Sequence, residues 1–229
     1  MFLGMCAGLL FKSVLVGMHD KGVIEVIPEG VTEGCYGAYS GLQPPEACET
    51  LAGRMKIGVL SDTHNHLPES KRALALLMQH GAGHLVHGGD AGEDVVDLIS
   101  ATCQEYGIRA HVAIGNCDHS PSSPPNLVAC PPGIERGLFL DFSLLGISCA
   151  VCHGHDARRL EQAIESGSFD YLFTGHTHRR RDEQMGRTRV LNPGSCARPR
   201  GSPAAVLLLD LPTGSIRWIS MESARESCT

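Results

Sequence analysis

Five short polar clusters hold the residues of this chain that could do chemistry. They read Asp62-Thr63-His64, Gly88-Gly89-Asp90, Gly115-Asn116-Cys117-Asp118, His153-Gly154-His155 and Gly175-His176-Thr177-His178. Carboxylate, imidazole and amide oxygen together suit Mn, Fe, Ni, Co or Zn. In the D-x-H and H-x-H pairs, residues two apart on an extended segment point the same way, so each pair can reach one site. A lone D-x-H means little, and a single His is more often a surface or capped residue than a ligand. Five such clusters in one ordered series are hard to reach by chance. Asp62, His64, Asp90, Asn116, His153, His176 and His178 are more side chains than one ion takes from a protein. They suit two ions sharing a carboxylate, and two ions about 3.5–4 Å apart are the standard device for in-line displacement at phosphorus.

The histidines point the same way. There are 12, and only His19 precedes His64; the other eleven fall between His64 and His178. No thiolate set for a closed structural zinc site accompanies them. The one C-x-x-C spacing, Cys149-Ala150-Val151-Cys152, lies in an apolar run and reads as two small core residues. The ten cysteines are too sparse for a disulfide scaffold and read as reduced thiols of a cytoplasmic protein.

Each cluster directly follows a predicted strand. Strands are expected over residues 56–60, 84–87, 110–114, 147–151 and 171–173, and helices over 68–80, 93–106 and 157–166. Apolar residues at helical spacing support the first two helices, with Pro68 near a start and Gly107 as a stop. The order β-α-β-α-β of the first half argues for a parallel sheet with right-handed crossovers. Further strands are expected over 138–142, 188–191, 204–209 and 215–219, with Pro212-Thr213-Gly214 turning the last pair into a hairpin. This second half reads as mostly antiparallel. In open α/β sheets the carboxyl ends of the strands form the ligand crevice, which is where the five clusters fall.

Residues 1–54 stand apart. The apolar run at the start is broken by Lys12 and is too short for a membrane helix, and it lacks the marks of a signal peptide. The segment reads as an N-terminal extension, either a tail or an over-extended start before Met55, with a short strand over 23–27. Residues 55–221 form the domain, and 222–229 a C-terminal tail. A net charge of -6 without a basic block argues against a duplex nucleic-acid binder.

The ordered series resembles the calcineurin-like metallophosphoesterase superfamily. With Cys117 inside the Asn motif and Asn192-Pro193-Gly194-Ser195 after the last His pair, it is most similar to the small YfcE-like phosphodiesterase branch. The resemblance implies a four-layer α-β-β-α sandwich of two mixed sheets and two divalent metal ions, Mn2+ first, with Ni2+, Fe, Co2+ or Zn2+ as alternatives. Asp62, His64 and His178 would hold one ion, and Asn116, His153 and His176 the other. Asp90 would bridge them together with a water or hydroxide nucleophile. The implied substrate is a small phosphorylated molecule, without a membrane partner, and the chain could form a homodimer. A phosphomonoesterase or nucleotidase on the same site stays open, as does a non-catalytic scaffold of the kind one relative provides.

Some relatives carry His where this chain has Cys117, and there the His is thought to protonate the leaving group. The proton donor here is therefore Cys117 itself, His119, His155 or solvent, with Asp90, Asn116, Cys117 and His155 grouped as catalytic candidates. His155 would support His153 or the bound phosphate. Asp118 would orient Asn116 or His64, unless it is an ordinary turn carboxylate. Arg179, Arg180 and Arg181 could clamp a phosphate or form a solvated face. His66, His80, His84, His87 and His111 read as structural or surface residues, and Trp218 as packing.

Overall fold

The computed structural model describes residues 16–18, 24–26, 55–118 and 130–221. Strands β1 (Val16–Met18) and β2 (Ile24–Val26) pair antiparallel in a unit separate from the one that follows. The second of them falls on the strand expected over 23–27. His119 and most of the Pro-rich loop lie outside the described residues.

The first sheet grows from the apolar run Lys56–Leu60 (β3), whose last four residues are buried. Strands β4 (His84–His87) and β5 (Arg109–Ala113) lie parallel to it. Helices α1 (Leu67–Gln79) and α2 (Glu93–Tyr106) make the crossovers. Their apolar stripes, Leu74 and Leu77 on α1 and Val95, Val96 and Ile99 on α2, are buried together against one sheet face. Gly107 ends α2 at φ +66, a left-handed conformation that favours glycine. Strand β6 (Ile134–Gly137) extends the sheet in parallel beyond β5. Sequence reading passed over it, because four residues with a central Glu-Arg pair and no alternation of apolar and polar residues carry no strand pattern.

The second sheet holds β7 (Phe139–Leu144), β8 (Ile147–Cys152), β9 (Tyr171–Phe173), β10 (Arg180–Met185) and β11 (Thr188–Pro193), in the order β10-β11-β9-β8-β7. It is more mixed than the sequence suggested, since β9 runs parallel to both β8 and β11. Strand β10 was also missed, being a polar edge strand, Arg-Arg-Asp-Glu-Gln-Met. Strands β12 (Ala205–Asp210) and β13 (Ser215–Ser220) form the expected hairpin, and β12 returns the chain to the first sheet antiparallel to β3.

Three apolar clusters define four layers. One lies between α1/α2 and the first sheet, one between the sheets, and one between the second sheet and α3 (Ala157–Glu165). Cys149 belongs to the cluster between the sheets and Cys152 to the one under α3. Residues three apart on a strand face opposite ways, so their C-x-x-C spacing forms no dithiol. Among the described residues no helix is long and apolar enough to cross a membrane.

The inter-sheet layer also takes in a polar pair. His84 Nε2 lies 2.8 Å from His111 Nδ1, and the His111 ring stacks on Phe142 with centroids 3.9 Å apart. Burial, with help from His111 and Arg109, pushes His84 down to about 4. A histidine depressed in the folded state takes up its proton first in the unfolded chain, so stability falls as pH drops from about 6.5 towards 4. The shift corresponds to at most about 3 kcal/mol. In urea unfolding of the chelated protein, His84→Gln should lose less stability than wild type between neutral pH and pH about 4. Parallel pH profiles would show that this pair does not set the acid limb.

Candidate metal centre

The clusters meet because the strand ends turn sharply. Asp62, His64, Asp90, His176 and His178 all have positive φ, between 46° and 67°. Side chains with a Cβ pay of order 1 kcal/mol for that conformation, and Asp and His tolerate it better than most. Main-chain hydrogen bonds lace the turns together, from Asp62 N to Gly89 O (3.0 Å) and from His64 N to Asp90 O (2.8 Å). Glycine is required where loops touch. A Cβ on Gly115 would collide with Asp90 Oδ1, and one on Gly175 with Ser61 Oγ.

Two of the imidazoles are fixed with one nitrogen turned inward. His178 Nδ1–H donates to Arg198 O (2.6 Å), and His153 Nδ1–H donates to Gly88 O (2.8 Å). Each Nε2 then faces the cleft, the arrangement by which an outer hydrogen bond orients a metal-binding histidine. His178 Nε2 lies 3.1 Å from His64 Nε2 and 3.4 Å from Asp62 Oδ1. His153 Nε2 lies 3.2 Å from Asn116 Oδ1 and 3.3 Å from Asp90 Oδ2. Ligands about 2.1 Å from one ion stand about 3.0–3.4 Å apart at octahedral or tetrahedral angles. The donor atoms therefore have the spacing of coordination edges.

The converged sets are Asp62 with His64 and His178, Asp62 with Asp90 and His153, and His64 with Asp90 and Cys117. Asp90 recurs because it stands between the two sides, 3.3 Å from His153 Nε2 and 4.0 Å from His64 Nδ1. His176 is less engaged. Its N–H donates to both Asp62 carboxylate oxygens (3.1 Å each), while its ring is exposed and stands 5.2 Å from that of His153. His155 is exposed, its ring 5.4 Å from His153.

Electrostatics separate the two carboxylates. Burial raises Asp62 above the usual carboxylate range, against the hydrogen bond from Ser61. Burial also acts on Asp90, but hydrogen bonds from His153 and the Cys117 N–H outweigh it and hold that carboxyl well below the usual range. His153 is raised in turn, the Asp90 contact overcoming its own burial. Burial lowers His64 and His176, which keeps their lone pairs available to a cation.

Several residues outside the candidate ligand set support it. Asp118 orients neither Asn116 nor His64. Its carboxylate accepts the backbone N–H groups of Asp90 (2.9 Å), Gly92 (2.9 Å) and Gly115 (2.8 Å), tying two strand ends together. Buried His87 accepts the Gly89 N–H at Nδ1 and meets Thr63 Oγ1 at Nε2, while Thr63 donates to Ala91 O. Asn192 donates to Gly175 O, and Ser195 Oγ donates to Asp62 O. The Asn-Pro-Gly-Ser turn thus braces the ligand loops. Of the three consecutive arginines, two are used elsewhere. Arg180 lies 5.2 Å over the Trp218 ring and donates to Pro203 O, and Arg181 pairs with Glu183. For Asp118 and His87 the signal in the sequence is position, within or directly beside the clusters.

Two stacked mixed sheets, with carboxylates and imidazoles meeting at their strand ends, define a metal-dependent phosphoesterase. The chain belongs to the calcineurin-like phosphoesterase superfamily, whose domain model matches residues 55–214. It is 29% identical over 171 residues to a phosphodiesterase of Methanocaldococcus jannaschii, covering 73% of this chain and all of that one. It is 29% identical over 175 residues to the phosphodiesterase YfcE of Escherichia coli, covering 68% of this chain and 88% of that one. A solved archaeal phosphodiesterase superposes with a TM-score of 0.63 at 27% identity, covering 73% of this chain and all of that one.

The three bonds to Asp118 generate a prediction. Asn is nearly isosteric but turns an N–H2 towards backbone N–H groups. Losing charge-assisted bonds at this site should cost about 2–3 kcal/mol. Asp118→Asn should lower stability in denaturant titrations and weaken metal binding by roughly 10–100-fold, as outer-shell substitutions do. Unchanged metal affinity by calorimetry would refute the bracing role.

Proposed function

We propose that the protein hydrolyses phosphodiesters of small molecules by in-line displacement at phosphorus, using two divalent metal ions. The observation that carries this reading is Asp90, whose carboxylate stands between His64 and His153 and so between two groups of ligands. Asp62, His64 and His178 would hold one ion; Asn116, His153 and His176 would hold the other; Asp90 would be shared. Bound ions would make a water acidic near neutral pH and polarise the phosphoryl oxygens. Nitrogen and oxygen donors of this mixture suit Mn2+, with Ni2+, Fe, Co2+ and Zn2+ as alternatives. The names of both curated relatives favour diesters over monoesters.

The residues themselves hold and orient. Asp90 is fixed by the Cys117 N–H at Oδ1 (2.8 Å), which leaves Oδ2 on the His153 side. Asn116 turns Oδ1 inward to His153 and Nδ2 towards Cys117 Sγ (3.4 Å). The Cys117 thiol is exposed at the cleft and grouped with His64 and Asp90. It is the side chain here best situated to pass a proton to a departing alkoxide, with His155, beside His153, as the alternative.

Metal-free protein should gain hydrolysis of bis-p-nitrophenyl phosphate when Mn2+ or Ni2+ is restored, and Asp90→Ala should lose at least about 10³-fold in kcat, about 4 kcal/mol of barrier. Absence of metal-dependent hydrolysis of any diester or monoester would refute the reading. A Cys117→Ala variant tests the proton donor. It should slow alkyl esters about tenfold or more while slowing p-nitrophenyl esters less, because p-nitrophenolate leaves without a proton. An equal loss on both ester types would assign the proton to another group.

A further inference from the structure

Arg198 is a cation that metal loading alone does not explain. It follows the Asn-Pro-Gly-Ser turn, and its main chain is built into the centre. Its carbonyl accepts the Nδ1–H of His178 (2.6 Å), and its N–H donates to Ser195 Oγ (2.7 Å), the same hydroxyl that donates to Asp62 O. The residue is thus locked to two candidate ligands of one ion. Its exposed side chain reaches His66, with Nη2 3.2 Å from His66 Nε2. His66 lies two residues beyond His64, and its Nδ1 is 3.7 Å from Glu69 Oε2.

A guanidinium beside a site for divalent cations repels those cations. What it favours is an anion that arrives over them. The scissile group of a diester carries one negative charge, and the ions that the candidate ligands would hold would already face it. A guanidinium outside the ligand set suits a second anionic group, which it can bind bidentately if that group is a phosphate.

Resting on the phosphodiesterase reading, we propose that Arg198 is a specificity-determining contact and that the favoured substrates are diesters carrying a further phosphate on one ester arm. The anion would sit on the side of His64 and His178, between the metals and His66. The first reason is placement: the backbone of Arg198 cannot shift without moving His178. The second is orientation: His66 takes one terminal nitrogen and so steadies the side chain.

The test uses two p-nitrophenyl phosphodiesters of thymidine, identical except that one bears a second phosphate on the sugar. Both release the same phenolate. The manganese-loaded wild type should prefer the doubly phosphorylated ester by about tenfold or more in kcat/KM, the scale of one charge-assisted bond. In Arg198→Gln the ratio should fall to about one, and Arg198→Lys should keep part of it, since it retains charge but not the planar fork. Calorimetry of thymidine bisphosphate against thymidine monophosphate on the same proteins reads the contact without turnover. Equal wild-type values for the two esters, or a preference that survives Arg198→Gln, overturns the proposal. If neither ester is hydrolysed, the hydrolytic reading fails separately. An Arg198-dependent calorimetric preference would then still support the contact, and its absence would overturn it.

Discussion

Two buried carboxylates face several imidazoles at the strand ends, and burial makes their charge costly. Asp62 is 0% and Asp90 3% exposed, so water does little to solvate them. Everything around the centre answers that cost. Ser61 and the His176 N–H hold Asp62, the Cys117 N–H holds Asp90, and carbonyls of Gly88 and Arg198 hold the outer nitrogens of His153 and His178. Apart from Ser61, each grip comes from a loop other than the one it holds, so no single loop could adopt its shape alone.

The same constraint explains the backbone. Five of the seven candidate ligands lie in left-handed conformations, an arrangement that would destabilise a free loop by several kcal/mol in sum. It persists because the turns are laced to one another and because Asp118 satisfies three amides that sharp turning takes out of the sheet ladder. Strain concentrated at ligands, with the surroundings fixing it, is the pattern expected where geometry serves binding rather than stability. Glycines at 115 and 175 belong to the same account, since they let loops approach to distances a side chain would forbid.

Much of this was legible in the sequence. The strands of the first sheet announce themselves by apolar runs, and the clusters follow them at once, so the crevice and a set of candidate ligands could be named from the sequence. Strands β6 and β10 were not legible, because edge strands made of Ile-Glu-Arg-Gly and Arg-Arg-Asp-Glu-Gln-Met obey backbone pairing rather than side-chain pattern. The partners of Asp118 and Ser195 were not legible for a related reason. They include main-chain groups of Asp90, Gly92 and Asp62, distant in sequence, and nothing in a side chain's identity reveals which backbone group it will meet. The arginine run failed differently. Charge suggested a phosphate clamp, but β10 directs Arg180 to Trp218 and Arg181 to Glu183.

The candidate ligands also divide between the sheets. Asp62, His64, Asp90 and Asn116 follow β3, β4 and β5 of the first sheet, whereas His153, His176 and His178 follow β8 and β9 of the second. The carboxylates thus come from one sheet and three of the four imidazoles from the other. Neither sheet alone offers both a carboxylate and the facing Nε2 of His153 or His178. The centre exists only when the apolar layer between the sheets, built on Ile57, Val59, Val151, Phe173, Leu207 and Leu209, holds them in register. Ions bound there would join the sheets at their open ends, and their binding energy would be folding energy as well. That coupling makes the burial of charge tolerable. The folded chain bears it as a cost of packing, and cations of the kind the ligands suit would turn it into a cross-link.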